Sequence, residues 1–175
     1  MKNTEEYLIL VDEQDREVGT SEKQAAHEKA LLHRAFSVFI MKGDEVLLQQ
    51  RQSSKYHCGG LWTNTCCGHP RPNEETKAAA ERRLHEELGF AQPLKDVGSF
   101  TYRAEFDNGL TEYEFDHVFF AEYDDQTISP NPDEVSAIEW LSVEKLKQRL
   151  KKAPEQFTPW LGLALSVLLK ARGQK

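Results

Sequence analysis

The 175-residue chain predicts an α/β fold of the α+β sandwich type, a mixed β-sheet flanked by helices, and three observations carry that expectation. Strand-like runs come in pairs around tight turns: residues 35–41 and 46–50 around Gly43-Asp44, and residues 100–106 and 110–122 around Asp107-Asn108-Gly109. Helical stretches fall singly between such pairs, which favours a mixed sheet over regular strand and helix alternation. No Gly-rich turn follows the first strand, so a dinucleotide-binding unit is excluded.

Taken in order, residues 7–11 form a short apolar run consistent with a strand, and residues 35–41 and 46–50 form the first hairpin. Residues 52–73 are rich in Ser, Gly, Asn, Pro, Cys and His and lack periodicity, so they read as a working loop. Residues 74–88 are mostly good helix formers with acids in the first turn, and Gly89 stands where a helix stops. The second, longer hairpin follows, then a strand over residues 135–141. Ser142 is placed to cap a helix containing residues 145–150. Leu161, Leu165, Leu168 and Leu169 recur at helical spacing and predict a closing helix with one buried stripe. No internal repeat or low-complexity tract interrupts this order, and the length suits one domain over residues 1–175.

Composition narrows the partners. Twenty-two Lys and Arg against 29 Asp and Glu leave a formal charge of −7, without the electrostatic footprint of non-specific nucleic-acid binding. The charge is uneven, +7 over residues 145–175 and −14 before them, which suits solvated helix faces in the tail. The longest nearly apolar stretch, residues 161–169, is about half the length of a membrane span, and the first ten residues lack the pattern of a secretory signal. Three cysteines, two of them adjacent, give no disulfide framework and suit a reducing cytoplasm.

The most specific signal begins at Gly68. Gly68, Glu74, Arg82, Leu84, Glu86, Glu87, Gly89 and Phe90 follow the spacing of the Nudix box, with Arg83 where the box has a Glu. In physical terms such a box is a loop feeding a helix whose carboxylates face a divalent cation, which in turn holds a diphosphate. Arg83 and Glu87 are four apart and share a helix face.

The words around the box resemble one Nudix-like family. Gly19-Thr20-Ser21-Glu22-Lys23, Trp62-Thr63-Asn64, Cys67-Gly68-His69-Pro70, Tyr102-Arg103-Ala104, Glu112-Tyr113-Glu114 and Phe157-Thr158-Pro159-Trp160 are similar to type 1 isopentenyl-diphosphate isomerases over residues 7–160. The resemblance implies a Nudix-like fold and conversion of isopentenyl diphosphate to dimethylallyl diphosphate in isoprenoid synthesis, with the diphosphate kept intact. It implies Cys67 and Glu114 as the proton-transfer pair, Tyr102 as an assistant to Glu114, and Trp160 as the aromatic face beside a carbocation. It implies His27, His33, His69, Glu112 and Glu114 as ligands of one tightly held divalent metal (Mn, Zn or Mg). It also implies Lys23, Arg51, Lys55 and Arg83 on the diphosphate, with a Mg bridging through Glu87.

Several of these assignments have independent support. Glu112 and Glu114 lie two apart in a predicted strand and face one side. The same alternation keeps Cys66 and Cys67 from lining one site. A guanidinium at Arg83 suits a phosphate clamp, where a hydrolase would use a carboxylate. His57, His85 and His117 read as ordinary polar residues. The implied partner is a small diphosphate, with no nucleic acid or membrane span and a monomer or weak homodimer. A Nudix diphosphate hydrolase and a non-catalytic metal-stabilised module remain the alternatives.

Overall fold

The computed structural model describes residues 6–55 and 57–174. Among the described residues nine strands form one mixed sheet: β1 Tyr7–Val11, β2 Glu17–Glu22, β3 His33–Lys42, β4 Glu45–Arg51, β5 Trp62–Thr63, β6 Cys66–Gly68, β7 Lys95–Glu105, β8 Thr111–Glu122 and β9 Val135–Ser142. Four α-helices accompany them: α1 Lys23–Glu28, α2 Thr76–Leu88, α3 Val143–Lys152 and α4 Leu161–Ala171. None is long and apolar enough to cross a membrane among the described residues.

The period-two alternation of β3 builds two cores at once. Phe36, Val38 and Ile40 face α2 and pack with Ala79, Ala80, Leu84 and Leu88, while Phe39 and Met41 face α4 and pack with Leu161, Ala164, Leu165 and Leu168. β4 splits the same way, Leu47 toward α2 and Val46 and Leu48 toward α4. With both faces covered, β3 reads as a continuous apolar run, which is why it was legible as a strand.

The first hairpin is paired only near its turn, at Met41 with Val46 and Lys42 with Glu45. Beyond that the two strands part. β3 takes β6 on one side and β8, in parallel, on the other, while β4 pairs with β9 and β5. The predicted loop over residues 52–73 therefore contributes two short strands, and the short gap they fill explains their lack of pattern. β2 and α1 were not expected from the sequence; β2 is an exposed edge strand and α1 has only six residues. The helix after the loop starts at Thr76 rather than residue 74, with no acid in its first turn. Glu74 instead receives two hydrogen bonds from Arg82, 2.8 and 2.9 Å, and latches the loop to the helix.

Two glycines are demanded by geometry. Gly89 ends α2 at φ +76°, where a Cβ would also stand 2.6 Å from the Ser129 carbonyl oxygen. Gly68 lets β6 approach β3, since a Cβ there would meet the Phe36 ring at 3.0 Å. Ser142 caps α3 as expected, accepting from the Lys145 amide at 3.3 Å.

Candidate active site

The α4 side of β3 and β8 changes character along its length. It is apolar at Phe39 and Val118, but upstream it carries His33 and Ser37 on β3 and Glu112, Glu114 and Asp116 on β8, all under 6% exposed. The parallel register sets His33 beside Glu114 and Ala35 beside Asp116. Ser37 pairs with Cys67 of β6, so the Cys67 thiol shares this face while Cys66 points into the α2 core. Burying three carboxylates side by side is costly unless something positive or a proton joins them.

The histidines indicate what joins them. His27 on α1 and His33 each place Nδ1 on a backbone carbonyl, that of Lys23 at 2.6 Å and Leu31 at 2.9 Å. With Nδ1–H donating, each Nε2 carries a lone pair. His27 Nε2 lies 2.9 Å from Glu112 Oε1, so two acceptors face each other unless a proton or cation lies between. His33 Nε2 and Glu112 Oε2 are buried without a hydrogen-bond partner and stand 3.8 Å apart; Glu114 Oε2 is 3.4 Å from His33 and 2.7 Å from His69. His33, His69, Glu112 and Glu114 form one group able to hold a metal ion, and His27, His57 and Glu112 form a second that shares Glu112. The imidazole anchoring and the orphaned buried atoms fit a divalent cation.

Electrostatics follow the same division. Burial pushes the Glu112 carboxyl well above its ordinary range, reinforced by the charge of Glu114. Glu114 is buried too, yet the imidazoles of His33 and His69 hold it well below that range. Burial lowers His69 to about 4 and His57 to about 3, so both rings are neutral and available as donors of electron pairs at neutral pH. Asp116 is raised by burial and then by Glu114, with Ser37 Oγ donating to its Oδ2 at 3.0 Å.

A cavity of about 730 Å³ opens over this floor and is lined by Lys23, Arg51, Lys55, Cys67, Arg83, Glu114 and Trp160. Arg51 Nη1 donates to Cys67 Sγ at 3.4 Å, and its guanidinium lies 5.7 Å from the Trp160 ring centroid. Burial pushes the Cys67 thiol up to about 12 despite Arg51, so it stays protonated near neutrality. Trp160 is aimed by Asn64, whose Oδ1 accepts from the indole N–H at 3.2 Å and from Thr63 Oγ1 at 2.8 Å. Tyr102 lies behind the wall, its phenol donating to Glu114 Oε1 and its ring 6.2 Å from Trp160.

Three of the four cations assigned to this wall are already paired with carboxylates. Arg83 donates to Glu86 at 2.6 Å and Glu87 at 2.7 Å and lies 3.3 Å from Glu134. Lys55 pairs with Glu134 and stands 3.8 Å from Glu87, while Lys23 reaches Glu6 at 3.0 Å. Glu87 is 1% exposed and also receives Gln49 Nε2 at 2.8 Å. Every residue assigned from the sequence thus falls on or directly behind one cavity, with Tyr102, Glu87, His27 and His33 in the rear positions.

Other participants were missed. His57, read as an ordinary polar residue, is buried against His27 and Glu112, because the loop that carries it folds inward. Asp116 continues the two-residue period of Glu112 and Glu114, a signal that was available in the sequence. Asn64 stands in the Trp62-Thr63-Asn64 motif without a role assigned to it, and Gln49 carries no sequence signal beyond being an amide in an otherwise buried position. His85 is exposed as expected, and His117 pairs with Asp15 at 2.8 Å away from the cavity.

The chain resembles known proteins over most of its length. A NUDIX domain model matches residues 31–161. Isopentenyl-diphosphate Delta-isomerase 2 of Aromatoleum aromaticum is 47% identical over 169 residues, 96% of this chain and 89% of that protein. Isopentenyl-diphosphate Delta-isomerase of Pectobacterium atrosepticum is 50% identical over 160 residues, 91% and 89% of the two chains. Among solved structures, DR0079 from Deinococcus radiodurans matches with TM-score 0.74 at 25% identity, covering 93% of this chain and 97% of that one. A MutT protein from Methanosarcina mazei Go1, at TM-score 0.66 and 18% identity over 82% and 96%, shares the fold.

Proposed function

The chain belongs to the isopentenyl-diphosphate Delta-isomerases of the NUDIX domain family, and from that premise we propose how its residues divide the work. The enzyme is an isomerase that converts isopentenyl diphosphate to dimethylallyl diphosphate. One proton joins the terminal CH2 carbon of the alkene and one leaves the methylene on the other side of the branched carbon, so the double bond moves one position and the diphosphate is untouched.

An unactivated alkene is a very weak base, and its protonated form is a tertiary carbocation that water captures. The site therefore needs an acid, a base, an electron-rich surface and exclusion of solvent. Cys67 and Glu114 are the proton-transfer pair. The thiol form of Cys67 and the Tyr102 phenol on Glu114 hold one exchangeable proton beside each partner. Trp160, fixed by Asn64, presents its indole face to the cation.

His27, His33, His69, Glu112 and Glu114 would hold one divalent cation, Mn, Zn or Mg, whose charge when bound neutralises the buried carboxylates. Lys23, Arg51, Lys55 and Arg83 take the diphosphate, and Glu87 would offer a carboxylate to a Mg that offsets its charge. Three imidazoles and two carboxylates suit several divalent metals, and ligand type alone does not select among them.

The observation that carries this reading is the convergence of Cys67, Glu114 and Trp160 on a cavity whose box helix offers Arg83 in place of a carboxylate. Incubation with isopentenyl diphosphate and Mg in heavy water, followed by NMR, tests it. Deuterium in a dimethylallyl product is expected. Phosphate release without isomerisation would instead favour the hydrolase reading.

A further inference from the structure

His57 belongs neither to the cysteine motif nor to the ligand set proposed above, yet it is 7% exposed and its Nε2 lies 3.6 Å from Glu112 Oε1. That separation is too long for a hydrogen bond, and it limits any swing of the carboxylate toward the imidazole to well under about 1 Å before the two atoms reach contact. The ring itself is clamped. It stacks on Phe106, just beyond β7, with centroids 4.9 Å apart and planes 16° from parallel. It also meets the edge of His27 at 4.6 Å. Its backbone carbonyl accepts from Arg51 Nε at 3.2 Å, which ties the loop to the cationic wall of the cavity.

The two oxygens of Glu112 have different surroundings. Oε1 faces His27 and His57, whereas Oε2 faces His33 and lacks a hydrogen-bond partner. The last torsion of a Glu side chain is broad and roughly two-fold, so little intrinsic preference keeps Oε2 aimed at His33. A rigid ring packed against the other oxygen supplies the missing constraint, and the same ring limits His27.

We infer that His57 is a positioning residue of the metal centre, wedged between Phe106 and His27 so that Glu112 presents its second oxygen to His33 and its neighbours. This rests on the reading that the His and Glu group holds a divalent cation. Groups that orient ligands without touching the metal typically change its affinity by about 10- to 100-fold when removed.

The test uses metal-stripped full-length protein, His57→Phe and His57→Gln, and Mn(II) as the probe, with free Mn(II) measured by electron paramagnetic resonance during titration. Phe keeps the rigid ring on Phe106 and removes both nitrogens; Gln keeps a polar group but loses the ring. Wild type should bind one Mn(II) at this centre, His57→Gln should bind it about 10- to 100-fold more weakly while remaining folded, and His57→Phe should recover most of the loss. Equal affinity in wild type and His57→Gln, or an equal loss in both variants, overturns the positioning role alone. Loss of one of two tightly bound ions on His57→Phe also overturns it, because His57 would then be a ligand of a separate ion. Wild type that takes up no Mn(II) overturns both this inference and the metal reading beneath it.

Discussion

Replacing Arg83 separates a phosphate clamp from a part of the chemistry. The diphosphate is the same in substrate, transition state and product, so a contact made only to it stabilises all three equally. Its loss should raise KM and leave kcat nearly unchanged. In Arg83→Gln one charge-assisted hydrogen-bonding partner disappears, an effect of about 1.5–3 kcal/mol, or roughly a 10- to 150-fold rise in KM. The variant should fold, because Glu87 keeps the Gln49 amide at 2.8 Å and the new Gln can still donate to it. Arg83→Glu, which restores the box consensus, adds a carboxylate among Glu86, Glu87 and Glu134, all now within 3.3 Å of the guanidinium. Two like charges about 4 Å apart repel by about 4 kcal/mol at a surface-like dielectric, so this variant should be at least tenfold worse than Arg83→Gln. Steady-state rates of dimethylallyl diphosphate formation, with melting temperatures as a control, measure both. A KM within twofold of wild type for Arg83→Gln, or a fall in kcat with KM unchanged, would refute the clamp.

Three further outcomes follow from the same geometry. Cys67→Ala and Glu114→Gln should each lower kcat by about 10²- to 10⁴-fold, the usual contribution of a positioned acid or base, with metal content of Glu114→Gln measured alongside; near-normal turnover in either would remove it from the pair. Trp160→Leu should lower kcat about 30-fold, from about 2 kcal/mol of cation stabilisation in a dry site, and Trp160→Phe should lose less; equal kcat in all three proteins would show that the ring acts only as packing. Because burial raises the Cys67 thiol to about 12, its alkylation rate, followed by mass spectrometry, should climb about tenfold per pH unit with no plateau up to pH 10. A plateau near pH 9 would mean that the thiol is not held in its protonated form.

What could be read in the sequence depended on how far each structural cause reaches along the chain. Residues 35–41 were legible because both faces of β3 are covered, and α4 because four leucines keep one stripe. Glu112 and Glu114 were assigned to one side because strand alternation is local. Residues 62–63 and 66–68 were not legible as strands, since what makes them pair is the parting of β3 and β4, set by partners β8 and β9 far along the chain. His57 escaped for a similar reason. Its burial depends on Phe106 and His27, 49 and 30 residues away, and nothing beside it in sequence marks the ring as inward. The adjacent cysteines show the opposite case, where the alternation of a three-residue strand was enough to send one thiol to the core and the other to the cavity.

The charge of −7 acquires a structural meaning once the acids are placed. Around the imidazoles, Glu112, Glu114 and Asp116 are buried, and burial keeps the rings of His57 and His69 neutral, so these two rings bring the carboxylates no positive charge. Around the mouth, Arg83 and Lys55 are present but share Glu87 and Glu134. A diphosphate arriving there competes with carboxylates for the same donors. As those donors turn toward phosphate oxygens, Glu87, 1% exposed, keeps the neutral Gln49 amide but loses its cationic partners, and a buried carboxylate without a counter-charge is costly. A divalent cation held by Glu87 would remove that cost and the repulsion together. The acidity that argues against nucleic acid as a partner is therefore compatible with a phosphate ligand, on the condition that binding of substrate and cation is cooperative.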